Sequence, residues 1–334
     1  MGTHILISII VPVYQAGTSL RKCVDSILPL LDYGCEIILV DDGSTDSSGA
    51  ICDDYSLREP NIKVIHQMNG GRSVARNRGM DIAEGKWIMF VDADDWLFRD
   101  VVKSIPTIAE NSSEDIVIFR DSTSFSPCSG EIESVAGDKV VWTMVTFAQA
   151  SDLVGKINPR TVWGKLYRRV LVGNTRFIAG LRFGEDAVFN IEAMSGRKVK
   201  LIDKSIYRYD IAEASTCSQF ASEDINYLIP FFKAVKDAAS KKGFPDTFSA
   251  ALCMNELLEL FYRAARLTEE LDVNTFLNPC RFIGDSLSYV PLRRNCLAET
   301  IRANLIGFLL EHGMMRFAFN LEKTRYKIKR TLSI

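Results

Sequence analysis

The segment Phe90–Trp96, FVDADDW, sets Asp92, Asp94 and Asp95 within four positions, directly after the apolar run WIMF. Carboxylates this close repel one another unless a cation, a set of backbone N–H groups or water stands between them. An Asp-x-Asp step leaving a buried strand suits a hard divalent cation. Mg2+ or Mn2+ takes oxygen ligands, commonly one or two carboxylates completed by phosphate oxygens and water. The plainer reading is a helix cap by Asp94 or Asp95, yet three aspartates exceed what one cap requires. Three further segments carry groups of similar promise. In VDDGSTD, Asp41 or Asp42 is placed to accept a hydrogen bond from a base N–H or a ribose hydroxyl, or else to build a turn and a cap. In NGGRSVARNRG, the glycine N–H groups and a helix N-terminus could cradle an anion, with Arg72, Arg76 and Arg78 adding charge. For two of those three arginines a solvated helix face is the bland alternative. In GED, Gly184–Asp186, the carboxylate pair precedes the apolar helix AVFNIEAM and reads either as a cap or as a general base with an orienting partner. GED lies about ninety residues beyond the aspartate cluster, so spacing alone does not join the two.

The elements that must position these groups alternate regularly over the first 120 residues. ILISIIVPVY, EIILV, IKVIHQ, KWIMFV and DIVIFR are β-branched, nearly continuous apolar runs, as expected of strands buried on both faces. Between them SLRKCVDSILPLL, SGAICDDYSLRE, RSVARNRGMDIAEG and DVVKSIPTIAEN have helical character. Strand and helix alternating through short links imply right-handed βαβ units and a mostly parallel sheet, whose ligands bind beyond the carboxyl ends of the strands. PVYQ, DDGS, MNGGR and DADD sit at four such ends. From about 121 to 160 the pattern weakens into turn formers; KVKLIDKSIYRYD then predicts one or two strands, and beyond about 222 the chain reads as amphipathic helices. The expected organisation is an α/β domain over 1–220, in halves over about 1–120 and about 121–220. A helical region follows over 221–334.

Composition bounds the remaining classes. The 334 residues are 47% hydrophobic and 25% charged with a net charge of −2, so no basic field suggests nucleic acid as a partner. Eight cysteines without a CxxC pair, and only three histidines, argue against zinc and for buried, reduced thiols in a cytoplasmic protein. The N-terminus lacks a secretory pattern, and no apolar run approaches the roughly 20 residues of a membrane span. From Arg316 the end of the chain, RFAFNLEKTRYKIKRTLSI, carries six Lys or Arg and one Glu among Phe, Leu, Tyr and Ile. It suits a solvated basic terminus and a peripheral contact with an anionic membrane equally well. Neither GxGxxG nor a P-loop is present, which disfavours a dinucleotide oxidoreductase and a P-loop nucleotide site.

Taken in order, SIIVPVYQAGTSLRKCVDSIL, EIILVDDGSTDSS, GGRSVARNRGMDIAEGKWIMFVDADD, VWGKLYRR and GLRFGEDAVFN resemble bacterial family 2 glycosyltransferases of the GT-A fold. The resemblance covers about residues 1–215. It implies an α/β fold of GT-A type, Rossmann-like with a mostly parallel central sheet and flanking helices, and inverting transfer from a nucleotide-diphosphate sugar with Mg2+ or Mn2+. UDP-sugars and glycan or lipid-linked acceptors of surface polysaccharide assembly are implied as partners, the latter at the inner face of a membrane. By motif position, Pro12, Val13 and Tyr14 line the nucleoside pocket. Asp42 contacts the base, with Asp41 supporting the loop or the ribose, and Arg76 and Asn77 belong to a nucleotide-facing helix. In DADD, Asp92 and Ala93 face ribose or donor, while Asp94 and Asp95 serve metal and diphosphate. Asp186 is the catalytic base, with Glu185 beside it near the acceptor. Gln15 departs from the pattern, which often has Asn there, and the helical region matches no known acceptor module. Two other readings share such a core: a non-catalytic sugar-nucleotide-binding subunit, which the intact DxD and GED oppose, and a nucleotidylyltransferase, which would carry a glycine-rich basic signature after the first strand. An aspartyl-nucleophile phosphatase would need its DxD after strand one, not strand four.

Overall fold

The computed structural model describes residues 4–120, 132–142, 144, 158–208, 227–267, 318, 320–322 and 324–325. The expected domain boundary near 220, most of the weak segment over 121–160, part of the helical region expected beyond about 222 and most of the basic terminal segment lie outside these residues.

The alternating apolar runs become β1 (Ile7–Val13), β2 (Glu36–Asp41), β3 (Ile62–His66) and β4 (Trp87–Phe90), linked by α1 (Leu20–Ile27), α2 (Ser48–Arg58) and α3 (Arg72–Ile82). After β4 come β5 (Trp96–Leu97), α4 (Arg99–Val102), α5 (Ser104–Glu110), β6 (Ile116–Phe119), β7 (Ile132–Ala136) and α6 (Gly137–Trp142). β8 (Lys165–Arg168), α7 (Arg169–Val172), α8 (Glu185–Met194), β9 (Lys198–Ile202) and β10 (Tyr207–Arg208) complete the sheet region. Pro29 ends α1 early: the helix expected through Leu31 passes at Leu28 into a 3-10 turn, since proline cannot donate the helical N–H. DVVKSIPTIAEN likewise divides, at Lys103, into α4 and α5.

Eight strands form one sheet in the order β3-β2-β1-β4-β8-β6-β9-β7. β1, β2, β3 and β4 are mutually parallel, as is the pair β6–β9, while β8 runs antiparallel to β4 and β6, and β7 antiparallel to β9. KVKLIDKSIYRYD supplies two strands that part company: β9 joins the large sheet and β10 pairs with β5 in a small two-stranded sheet. β1 stands between β2 and β4, so the chain leaves it in opposite directions and opens a crevice beyond its carboxyl end. Every residue of β2 and β4 is buried, which explains why their sequences do not alternate. Below the sheet's carboxyl edge, Phe90 meets Tyr167, Phe177 and Phe189 edge to face, and Phe177 stacks on Phe189 at 4.2 Å.

Two units emerge, Met1–Val141 with Asp152–Asp210, and Trp142–Ser151 with Ile211–Ile334. In the second, α9 (Leu228–Lys241) and α10 (Asp246–Leu267) are joined by a link that turns at Gly243 and bury Phe231, Phe232, Phe248, Leu257 and Phe261. Among the described residues no helix is long and apolar enough to cross a membrane. The described cysteines, Cys23, Cys35, Cys52 and Cys253, are buried free thiols, as their apolar surroundings suggest.

Candidate active site

One buried arginine joins the two carboxylate motifs that sequence spacing left apart. Arg76, on the second turn of α3 and 1% exposed, directs Nη2 to Asp92 Oδ1 at 2.8 Å and Nη1 to Asp186 Oδ1 at 2.7 Å, with Glu185 Oε1 at 3.3 Å. Its guanidinium lies 5.2 Å from the Phe177 ring centre, over an apolar floor where charge is poorly screened. Burial opposes the cation, but Asp186, Asp92 and Glu185 outweigh it and raise the Arg76 pKa above its ordinary value. The forked, planar head of arginine suits this task because it can face two carboxylates at once.

Asp186 enters the cluster through the backbone of the GED turn. Gly184 adopts φ 71°, a left-handed conformation open to glycine, and α8 begins at the next residue. The Asp186 side chain remains 17% exposed; its Oδ2 accepts the Val162 N–H at 3.2 Å. Each oxygen thus has one donor and keeps a second lone pair. Glu185, expected near the acceptor, stands beside Asp186 at the start of α8. It is buried, and Arg72 Nε grips its Oε1 at 2.6 Å while Arg72 Nη2 donates to the Arg182 carbonyl. Burial, then the Asp186 charge, push the Glu185 carboxyl up to about 7 against the pull of Arg72 and Arg76.

The three aspartates of DADD divide sharply. Asp94 is exposed, Asp92 is partly so, and Asp95 is 1% exposed. Tyr207 donates its hydroxyl proton to Asp95 Oδ2 at 2.6 Å, and the Tyr207 hydroxyl oxygen accepts the Asp92 N–H at 3.1 Å. Tyr207 also stacks on Trp163 at 4.7 Å, the residue after the Val162 that donates to Asp186. Cys23 and Ser19 of the α1 region hold the Asp92 and Ala93 carbonyls. Asp95, expected to serve metal and diphosphate, is here buried and bonded to Tyr207. Among the described residues no three carboxylate, cysteine or histidine side chains gather as a metal cage. A hard cation that shares its shell with diphosphate and water needs only one or two carboxylates, and exposed Asp94, with Asp92 beside it, fits that role.

The anion cradle expected in NGGR is filled from within. Asp42 accepts the Gly70 N–H and Gln67 Nε2 at Oδ1 and the Gly71 N–H at Oδ2, all at 2.7–2.8 Å. Asp42, expected at the base, here ties the loop after β2 to the approach to α3. Asp41 accepts the Ser44 N–H and meets His66 Nδ1, whose ring also reaches Asp53; the bonds to Asp53 and Asp41 raise the His66 pKa. Val13 is buried in the core and Pro12 half-buried, so only Tyr14 of VPVY, 54% exposed, offers its side chain to a ligand. The Asn77 amide, expected on a nucleotide-facing helix, binds both the N–H and the carbonyl of Phe177 in the loop before GED. Arg78 is exposed, as the solvated-face reading requires. Sequence reasoning quoted Val162 and Trp163 within VWGKLYRR without a role and missed Tyr207; Tyr207 lies 112 positions from Asp95, and no local pattern marks it.

The family model described as Glycosyl transferase family 2 matches residues 8–126. Uncharacterized glycosyltransferase YibD of Escherichia coli (strain K12) is 31% identical over 238 residues, spanning 69% of each chain. The chain belongs to glycosyl transferase family 2. Uncharacterized glycosyltransferase EpsJ of Bacillus subtilis (strain 168) is 36% identical over 213 residues, which cover 61% of this family 2 chain and 60% of EpsJ. Among solved structures, S. aureus TarS 1–349 in complex with UDP-GlcNAc superposes with a TM-score of 0.63 at 18% identity, over 96% of this chain and 91% of that one. At that identity the likeness speaks for the fold, a GT-A arrangement of mostly parallel sheet and flanking helices with a helical C-terminal region.

Proposed function

We propose that this family 2 chain moves a sugar, with inversion, from a nucleotide-diphosphate sugar of the UDP class to a hydroxyl of a glycan or lipid-linked acceptor in surface polysaccharide assembly. The observation that carries the reading is the Arg76 bridge, which ties DADD at the end of a parallel strand to GED at the head of α8. A donor site and a base held by one rigid group suit a displacement that needs both reactants aligned.

In this reading Tyr14 receives the base, and Asp92 and Asp94 face the donor's ribose and diphosphate. Mg2+ or Mn2+, when held by Asp94 with the diphosphate oxygens, supplies positive charge that favours the leaving group. Asp186 takes the proton of the acceptor hydroxyl as its oxygen attacks the anomeric carbon opposite the departing nucleoside diphosphate. Val162 N–H and Arg76 hold the Asp186 carboxylate in one orientation during that transfer. Glu185 and Arg72 keep the turn rigid and take no proton from substrate.

The test is nucleoside diphosphate release across a panel of nucleotide sugars, with and without Mn2+, for the wild type and Asp186→Asn. Asp186→Asn should lower transfer by about 10²-fold or more, as loss of a general base does, with UDP still bound. Wild-type turnover in that variant would reject the assignment of the base.

A further inference from the structure

Among the described non-glycine residues, Gln15 alone has a positive φ, at 51°. An L-residue there crowds its Cβ against the carbonyl oxygen, and glutamine lacks the short local bond that lets Asn or Asp tolerate it. Gln15 is exposed, so core packing does not impose the conformation. Hydrogen bonds do. Its backbone N–H donates to Ser44 Oγ at 3.1 Å, its Oε1 accepts the N–H of Thr45 at 2.8 Å and of Asp46 at 3.3 Å, and its Nε2 donates to Thr45 Oγ1 at 3.1 Å. The glutamine is clamped to the loop that follows β2.

The clamp falls beside Tyr14, the exposed aromatic at the rim of the crevice. On one side of Tyr14, Val13 is buried and its carbonyl accepts the Asp42 N–H. On the other side the chain reverses at Gln15, and Ala16 is tied to Ser48 Oγ. Backbone strain concentrated next to a ligand-facing side chain is a means of fixing that side chain before the ligand arrives. A ring already fixed loses less freedom on binding.

We infer that Gln15 is a positioning residue for the donor's base: its left-handed backbone and its amide clamp on Thr45 and Asp46 hold Tyr14 as a preformed stacking platform. The inference rests on the reading of Tyr14 as the base contact. It adds that the loop after β2 governs donor affinity through Gln15 without touching the donor.

The experiment titrates UDP, as the probe, into wild type, Gln15→Ala, Gln15→Asn, Tyr14→Ala and the Tyr14→Ala/Gln15→Ala double variant, by calorimetry, with Tm measured alongside. The donor's KM and kcat are taken for the same set. Gln15→Ala should weaken UDP binding and raise donor KM by about 5–10-fold, with kcat within about twofold, the signature of lost preorganisation. Gln15→Asn, which tolerates the left-handed backbone and keeps a shorter amide, should recover part of the loss. In the Tyr14→Ala background, Gln15→Ala should add nothing further. Additive losses, or a lowered Tm with unchanged UDP affinity in Gln15→Ala, would make Gln15 merely structural and overturn the inference. Unchanged UDP affinity in Tyr14→Ala would overturn the platform itself, whereas a weakened Tyr14→Ala with a wild-type Gln15→Ala would overturn the role of Gln15 alone.

Discussion

Replacing Arg76 by lysine keeps the buried positive charge and removes the fork. A single ammonium cannot stand where Nη1 and Nη2 now stand, on Asp186 at 2.7 Å and Asp92 at 2.8 Å. One of the two charge-assisted bonds must go, and each such bond is worth about 1.5–3 kcal/mol. The carboxylate left behind is partly exposed in either case, at 28% for Asp92 and 17% for Asp186, so water recovers some of that energy. A net loss of about 2 kcal/mol is expected, which for a unit of this size lowers Tm by about 4–8 °C. The effect on chemistry should exceed the effect on stability. Freed from its bridge, Asp186 keeps only the Val162 N–H, and a displacement of about 1 Å in a reacting group can cost about 10²-fold in rate. The assay is steady-state release of nucleoside diphosphate from the donor identified by the panel, with UDP affinity measured by calorimetry and Tm by scanning fluorimetry. Arg76→Lys should lose kcat by about 10²-fold with UDP affinity within a few-fold of wild type, because a residue 1% exposed does not meet the nucleotide. The opposite pattern, with UDP affinity lost and kcat on bound donor preserved, would refute the argument and return Arg76 to the nucleotide-facing role.

If Asp94 holds the proposed cation, Mn2+ should raise the UDP affinity of the wild type, Asp94→Ala should abolish that gain, and Asp95→Asn should lower Tm and keep it; the reverse ranking in metal-titration calorimetry would reject the division of the aspartates. Glu185 has a folded-state pKa near 7, above its ordinary carboxylate value, so the stability it contributes is complete below about 4.5 and fades as pH rises through 7. Glu185→Gln mimics the protonated form. Its Tm relative to wild type should therefore climb by a few degrees between pH 4.5 and pH 8, and a Tm difference that falls over that range would show that the ion pair with Arg72 dominates instead.

Much of the fold was legible because a strand buried on both faces leaves a local signature: consecutive apolar residues bounded by turn formers. β1, β2, β4 and β6 could be read in this way, and the order of strand and helix then implied the parallel sheet and its active edge. The polar clusters at PVY, DDGS, NGGR, DADD and GED were legible for the same reason, since each ends or begins a regular element.

The roles within those clusters were not. Sequence by itself determined which residue types stand at the carboxyl ends of the strands, and so the class of chemistry to expect: acidic groups able to serve a cation, a donor or a proton. It left open which carboxylate faces inward and which faces solvent, because capping, coordination and ion pairing call on the same residue types. Tertiary structure decided that Asp95 turns into the core under Tyr207, that Asp42 fills the cradle formed by Gly70 and Gly71, and that Arg76 is surrounded by Asp92, Glu185 and Asp186. Those partners come from segments 16 to 112 positions apart. Hydrogen bonds and ion pairs act over a few ångströms of space, whatever the separation along the chain, so only the folded arrangement assigns them.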